Sequence, residues 1–382
     1  MKILQVSDSF YPNVDGPNAV MLNLSLALQK LGHEVELLVP DYPKNRVEAE
    51  GLKIYRCPSI PAGKGYRCAL PFLGRGLKKL IKNGKFDLIH LHSCFPLAKF
   101  AQKLGRKYKI PVMITVHTKF RDEFENRLKL KCLQRFMMHY IMKCIERCDG
   151  IVSVSRGMVG TLEEYGSKRC KDIKVIYNAA ATPPAAEGGA VAALRKKLGT
   201  EDKFSFMFAG RLAEVKNVQF SLAVLGEVKK RGYKDFKFII VGDGDYGKTL
   251  KKLTAEYKLT ENVVFAGRIS DPQTLANYYS ASDLMLFPST FDTFGLVVSE
   301  AASNCLPAAA IKGSCSAERI EHGVSGFAWE YDKCVWVEEI IKLLENPAPV
   351  KTAGEGAKNY VCLSWDTVSK EYLDFYNELK NG

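Results

Sequence analysis

The residues best equipped for chemistry lie in DLMLFPSTFDTFGLVVSEAASNCLP, residues 283–307. A buried-type apolar run ends at Pro288, a loop carries Asp292, Phe294 and Gly295, and a helical pattern starts near Leu296 with Glu300 about one turn in. The start of a helix offers backbone N–H groups without intrahelical partners and the positive end of the helix dipole. Gly295, with no Cβ, lets a diphosphate come close to that backbone. Asp292 and Glu300 are carboxylates, which accept hydrogen bonds strongly from sugar and ribose hydroxyls. Eight positions apart, they can touch two parts of one extended ligand.

Other stretches add to this set. In AGRLAEVKN (209–217), Arg211 follows a strand and Lys216 comes five residues later, a pair suited to neutralising a departing diphosphate. In TVHTKFRDEFE, His117 closes a strand of the first half, with Lys119 and Arg121 behind it as cations for an acidic acceptor. Gly16 ends the N-terminal loop FYPNVDG. His90 and His92, in DLIHLHS, read as structural. VGDGDYG (241–247) has the spacing G-x-G-x-x-G after a strand, but Asp243 and Asp245 between the glycines repel a pyrophosphate. It reads as a turn, with no nicotinamide cofactor.

These residues need strand ends to carry them, and the pattern supplies two series of strands and helices. The first runs through ILQVS, a helix from about Asn18 to Leu31, HEVELLVP, GLKIYRC, a basic helix in LGRGLKKLIKNG, FDLIHLHS, LAKFAQKLGRKYK, PVMITVHT, a long helix over 128–147, and GIVSVS. Short apolar runs alternating with helices predict an α/β fold with parallel sheets covered on both faces. AAATPPAAEGG (179–189) reads as linker, and a second series starts at FSFMFAGR. The predicted divisions are 1–178, a linker over 179–200, a second Rossmann-like domain over 201–362, and a terminal helix over 363–382 returning to the first domain. Ligands of open α/β sheets sit outside the carboxyl ends of the strands.

The acid–x7–acid stretch, the Arg–Lys pair and the strand-end histidine resemble the signature of GT4-like retaining glycosyltransferases of GT-B fold, in which two Rossmann-like domains face each other across a cleft. The resemblance covers nearly the whole chain. It implies that Asp292 binds donor-sugar hydroxyls and Glu300 the nucleotide ribose. Phe294, Gly295 and Leu296 then present backbone N–H groups, and Arg211 and Lys216 neutralise the diphosphate. It also implies that His117 donates a hydrogen bond beside the transferred sugar and that Gly16 lies near the donor phosphates. The family usually has Glu where Asp292 stands and a second Gly where Pro17 stands. Glu318, in IKGSCSAERIEHGVSGF, is the family-matching acid, with a structural role. The wording HTKF, FDTFGLVVSEAA and IKGSCSAE is similar to bacterial diacylglycerol glucosyltransferases. The implied reaction moves a hexose, glucose, from a UDP-sugar with retention. Asp243-Gly244-Asp245 has DxD spacing but belongs to the stretch read as a turn, and no DxD-like metal motif is evident, so neither metal nor cofactor is expected.

Charge and composition narrow the partners. Of the net +13, residues 1–178 hold +15 and the remainder −2. Residues 99–147 alone hold thirteen Lys and Arg against four Asp and Glu, including Arg127, Lys129, Lys131 and Arg135 among Leu, Phe and Met. Such a helix suits an anionic membrane surface or lipid acceptor; its alternative is a sheet-covering helix with cations reaching outwards. No zinc module or RNP-type motif supports nucleic acid. Eleven scattered cysteines read as reduced thiols, and no apolar run is long enough to span a bilayer. The expected location is cytoplasmic, peripheral on the membrane's cytosolic face. A soluble or polysaccharide acceptor, or a sugar-nucleotide epimerase of the same fold, are the alternatives.

Overall fold

A computed structural model describes residues 1–12, 15–49, 51–63, 65–180, 186 and 188–382, with all their side chains except those of Asn126 and Arg127. The chain forms two compact units, Met1–Asn178 with Trp365–Gly382, and Ala179–Ser364.

The first unit holds strands β1 (Lys2–Val6), β2 (Glu34–Pro40), β3 (Lys53–Cys57), the hairpin β4 (Ser59–Gly63) and β5 (Tyr66–Ala69), β6 (Leu88–Leu91), β7 (Val112–Val116), β8 (Gly150–Ser153) and β9 (Ile173–Val175). Its helices are α1 (Gly16–Lys30), α2 (Leu77–Asn83), α3 (Pro96–Tyr108), α4 (Phe120–Arg127), α5 (Lys131–Ile145) and α6 (Arg156–Glu164). Seven strands make one sheet in the order β3-β2-β1-β6-β7-β8-β9, every pairing parallel. Strands such as VMITV are buried along their whole length, as a parallel sheet covered on both faces requires.

The second unit runs α7 (Gly188–Leu198), β10 (Phe204–Ala209), α8 (Val218–Lys230), β11 (Phe236–Val241), α9 (Gly247–Glu256), β12 (Val263–Gly267), α10 (Pro272–Ser280), β13 (Leu284–Phe287), α11 (Leu296–Ser303), β14 (Ala308–Ile311), β15 (Phe327–Trp329), α12 (Lys333–Glu345) and α13 (Ala348–Gly356). Its parallel sheet has the order β12-β11-β10-β13-β14-β15. The order reverses between β10 and β13, and in the first unit between β1 and β6. These switch points open a crevice at the strands' carboxyl ends. The last helix, α14 (Trp365–Asn381), belongs to the first unit, packs on α1 and buries Val368, Tyr372, Phe375 and Tyr376.

Three boundaries differ from the sequence reading. Helix α1 starts at Gly16 and not Asn18, because the Asp15 carboxylate accepts from the Asn18 N–H at 3.0 Å and Pro17 sits in the first turn. The long helix over 128–147 is shorter: Leu128 and Leu130 are extended, α5 begins at Lys131, and the polar segment FRDEFENR before it forms α4. The segment 179–200 contains α7, which packs on α10, buries Leu198 and anchors Arg195 Nη1 to the Ala281 carbonyl at 3.1 Å. Residues 181–185 and 187 of that segment lie outside those described.

Candidate active site

The second unit brings Arg211, Lys216, Asp292, Gly295 and Glu300 to the loops and helix that follow β10 and β13, the two strands flanking its switch point. Lys216 Nζ lies 2.6 Å from Asp292 Oδ1, with the two side chains only 19% and 16% exposed. The other carboxylate oxygen, Asp292 Oδ2, is buried and has no hydrogen-bond partner among the described residues. A buried acceptor left unmade costs free energy that a ligand hydroxyl can recover.

Asn217 makes this pairing possible. It holds a left-handed conformation (φ 58°) and its Nδ2 donates at 3.0 Å to both the Pro288 carbonyl and the Tyr331 hydroxyl, tying the loop after β10 to the end of β13. Gly295, at φ 82°, caps α11, and a Cβ there would sit 2.8 Å from Ser316 Cβ. Only glycine meets both conditions. Leu296 opens the helix and Phe294 is buried beneath the loop. Glu300, one turn along, accepts from the Tyr279 hydroxyl at 3.0 Å. Burial raises the Glu300 carboxyl above its ordinary value, and the Tyr279 bond opposes this. Glu318 is half-buried in the segment that follows Ser316.

Arg211 is exposed and makes no side-chain bond to the described residues. Its loop is held from below by the glycine-rich turn. Leu212 N donates to the Asp243 carbonyl (2.9 Å), Tyr246 N to the Leu212 carbonyl (3.0 Å), and Gly210 N to the Val241 carbonyl (3.0 Å). A Cβ at Gly242 would stand 1.8 Å from the Gly210 carbonyl oxygen, and one at Gly244 2.4 Å from that of Leu212. These glycines serve backbone packing under the Arg211 loop.

In the first unit, His117 follows β7 and is buried; burial pushes its imidazole down to about 3. Its Nε2 lies 3.0 Å from His92 Nδ1, so His92, read above as purely structural, touches the candidate residue. At the β1/β6 switch point Asp8 fills the start of α3 with the chain's own carboxylate. It accepts from Leu97 N (2.6 Å), Phe95 N (3.2 Å), Ala98 N (3.2 Å) and Ser93 Oγ (2.7 Å). Gly16 opens α1; residues 13 and 14 of its loop lie outside those described.

The acceptor-side cations divide. Lys119 caps α4. Arg121 is engaged by α6, through Nη2 to the Glu164 carbonyl (2.9 Å) and its guanidinium 4.7 Å from the Tyr165 ring centre. These contacts tie it to the end of α6. Lys129, Lys131 and Arg135 are exposed beside Leu130 (63%), Leu133 (40%) and Phe136 (62%). Arg127 ends α4, and its side chain lies outside those described. No described helix is long and apolar enough to cross a membrane.

Sequence comparison extends this picture. The model for Glycosyltransferase Family 4 matches residues 14–182, and that for Glycosyl transferases group 1 matches residues 191–360. This chain belongs to the GT4-like glycosyltransferases. The alpha-monoglucosyldiacylglycerol synthase of Streptococcus pneumoniae is 29% identical over 314 residues, spanning 80% of this chain and 70% of that protein. The synthase of the same name from Acholeplasma laidlawii is 25% identical over 423 residues, spanning 100% of both. Among solved structures, Anabaena Alr3699/HepE in complex with UDP matches with a TM-score of 0.78 at 19% identity, covering 99% of this chain and 100% of that one. The glycosyltransferase thus has the GT-B fold, with the two α/β units and the C-terminal helix anticipated from sequence.

Proposed function

We propose that this glycosyltransferase transfers glucose from UDP-glucose to a membrane lipid of the diacylglycerol type, with retention of anomeric configuration and without a metal. The observation that carries the donor reading is the buried, unpaired Asp292 Oδ2 beside Lys216 and the start of α11. Oδ2 takes a donor-sugar hydroxyl and Glu300 the ribose. Arg211, Lys216 and the N–H groups at Phe294, Gly295 and Leu296 stabilise the departing diphosphate. The family resemblance gives His117 a hydrogen bond to the transferred sugar and Gly16 a part near the donor phosphates. The acid pair is already assigned to hydroxyl recognition, so the acceptor attacks from the face the diphosphate leaves, and a phosphate oxygen takes its proton. The names of the two relatives and a further Anabaena Alr3699/HepE structure in complex with UDP-glucose support the choice of sugar, base and acceptor.

Glu300 gives this reading a pH signature. A protonated carboxyl gives up acceptor capacity towards ribose hydroxyls. UDP affinity should therefore fall as pH drops from neutral towards the ordinary glutamate value of 4.5, because burial keeps the proton on at higher pH. Calorimetric titration of UDP across this range should show the fall in the native protein and a flat, weaker profile in Glu300→Gln. Stability moves the other way. The folded state retains a proton that the unfolded chain has released, so the contribution is full below 4.5 and is lost as pH rises through the raised value.

The lipid acceptor rests on the exposed face of α5 and the residues leading into it. Leu130, Leu133 and Phe136 stand beside Lys129, Lys131 and Arg135, an apolar strip flanked by cations. Replacing Leu133 and Phe136 together by glutamate should cut sedimentation with anionic liposomes by about tenfold or more. Slow hydrolysis of UDP-glucose in free solution should be unchanged. Equal lipid glycosylation by both proteins would remove this face from membrane binding, and turnover indifferent to liposomes would move the acceptor to a soluble sugar.

A further inference from the structure

The placement of His117 beside the transferred sugar, proposed above, raises the question of which ring nitrogen holds its proton. Strands β1, β6 and β7 are neighbours in the middle of the first unit's sheet. Register sets Gln5 opposite His90 and His90 opposite Met113. Side chains alternate across a sheet, so Gln5, His90, His92, Thr115 and His117 share one face.

Two hydrogen-bonded rows cross that face. In one, His90 Nδ1 meets the Tyr376 hydroxyl and His90 Nε2 meets Thr115 Oγ1, both at 2.8 Å, and Thr115 Oγ1 lies 3.1 Å from the Tyr372 hydroxyl. This row seats α14. In the other, His92 Nε2 bonds Gln5 Oε1, and His92 Nδ1 lies 3.0 Å from His117 Nε2. The His92 and His117 rings are 5.3 Å apart and nearly parallel, at 11°. All these groups are buried, and burial holds the three imidazoles neutral by lowering each below its ordinary value.

A neutral imidazole has one N–H and one lone pair. The Gln5 carbonyl oxygen only accepts, so the proton of His92 sits on Nε2 and its Nδ1 carries the lone pair. The group that meets this lone pair, His117 Nε2, then carries the N–H. We propose that Gln5, acting through His92, is a positioning residue that fixes His117 as its Nε2–H tautomer, so that His117 Nδ1 accepts hydrogen bonds and donates none. The family resemblance implies the reverse, a histidine that donates towards the sugar. The polarity of the row follows from the Gln5 amide, whose oxygen faces His92 while its nitrogen is buried with no partner among the described residues. Turning that amide over would reverse each proton in turn.

Imidazole nitrogen NMR on the full chain labelled at its six histidines tests this directly. The expected spectrum shows His92 and His117 both protonated at Nε2, assigned by the signals lost in His117→Ala. His117 protonated at Nδ1 would overturn the proposal. Gln5→Met, similar in length but unable to direct the proton, should convert His117 to a mixture of tautomers. It should also lower kcat by roughly 10–100-fold with the donor KM little changed, by analogy with the loss when the hydrogen-bond partner that orients a metal-bound histidine is removed. Unchanged tautomer and unchanged kcat in Gln5→Met would also overturn it. A shifted tautomer with full activity in His117→Ala would leave the array standing and remove His117 from the sugar site.

Discussion

Lys216→Ala should lower kcat for release of UDP from UDP-glucose by roughly 10²–10³-fold, the cost of deleting one charge-stabilising group in an enclosed site. The structure gives the reason. Lys216 is the partner of Asp292 at 2.6 Å, so its loss removes a cation and also releases the carboxylate that it orients. Part of the effect should therefore appear as weaker donor binding, since Asp292 Oδ2 would no longer be aimed. Lys216→Arg should recover only part of the rate, because a planar guanidinium does not reproduce the single short contact of an ammonium. Steady-state nucleotide release is the measurement, with thermal melting to establish that the variants fold. A variant within threefold of the native rate would remove Lys216 from the chemistry.

Gly242→Ala should be the most damaging single-methyl change, destabilising the second unit by about 3 kcal/mol or more. Two costs add. The residue has φ 139°, which L side chains rarely adopt, and the new Cβ would fall 1.8 Å from the Gly210 carbonyl oxygen. Relief of that clash requires the Gly210–Leu212 backbone to move, and this backbone carries Arg211. The expected result is a lowered melting temperature for the unit, with donor affinity reduced even where it remains folded. Gly232→Ala is the control: it too has positive φ, but a Cβ there meets nothing within 4 Å. Equal effects at the two positions would mean that strain alone, and not contact with the Arg211 loop, explains the loss.

The glycine-rich turn shows where sequence is readable and where it stops. Its spacing marked a tight turn, and the interleaved acids argued against a dinucleotide. What the glycines make room for is the backbone of residues 210–212, some thirty positions earlier, and no local pattern reports that. The same divide runs through the site. The positions of Asp292, Gly295, Glu300, Arg211 and Lys216 were legible because each lies at a strand end or helix start that the apolar pattern marks. Tyr279 beneath Glu300, Asn217 against Pro288 and Asp8 at α3 were not. Each makes its defining contact with a residue at least 21 positions away, and only the sheet order brings them together. His92 illustrates the same limit: a buried histidine on a strand is ordinarily a satisfied core residue, and only the register of β6 against β7 places it on His117. Helix α4 was missed because FRDEFENR carries little apolar periodicity; its early Asp122 and Glu123 suit the helix dipole and its packing comes from α5. Fold class was the easier inference, since two runs of short apolar strands alternating with helices leave few ways to bury a parallel sheet.

The central claim is transfer from a nucleotide sugar, and the most direct measurement follows the sugar itself. Radiolabelled UDP-glucose would be incubated with the protein and anionic liposomes containing diacylglycerol, with UDP-, GDP- and ADP-sugars compared for nucleotide release. The account predicts one UDP released for each glucose recovered in the organic phase, an alpha linkage in the product by proton NMR, and loss of both signals in Asp292→Ala. Absence of nucleotide release from every donor, with or without liposomes, would contradict it.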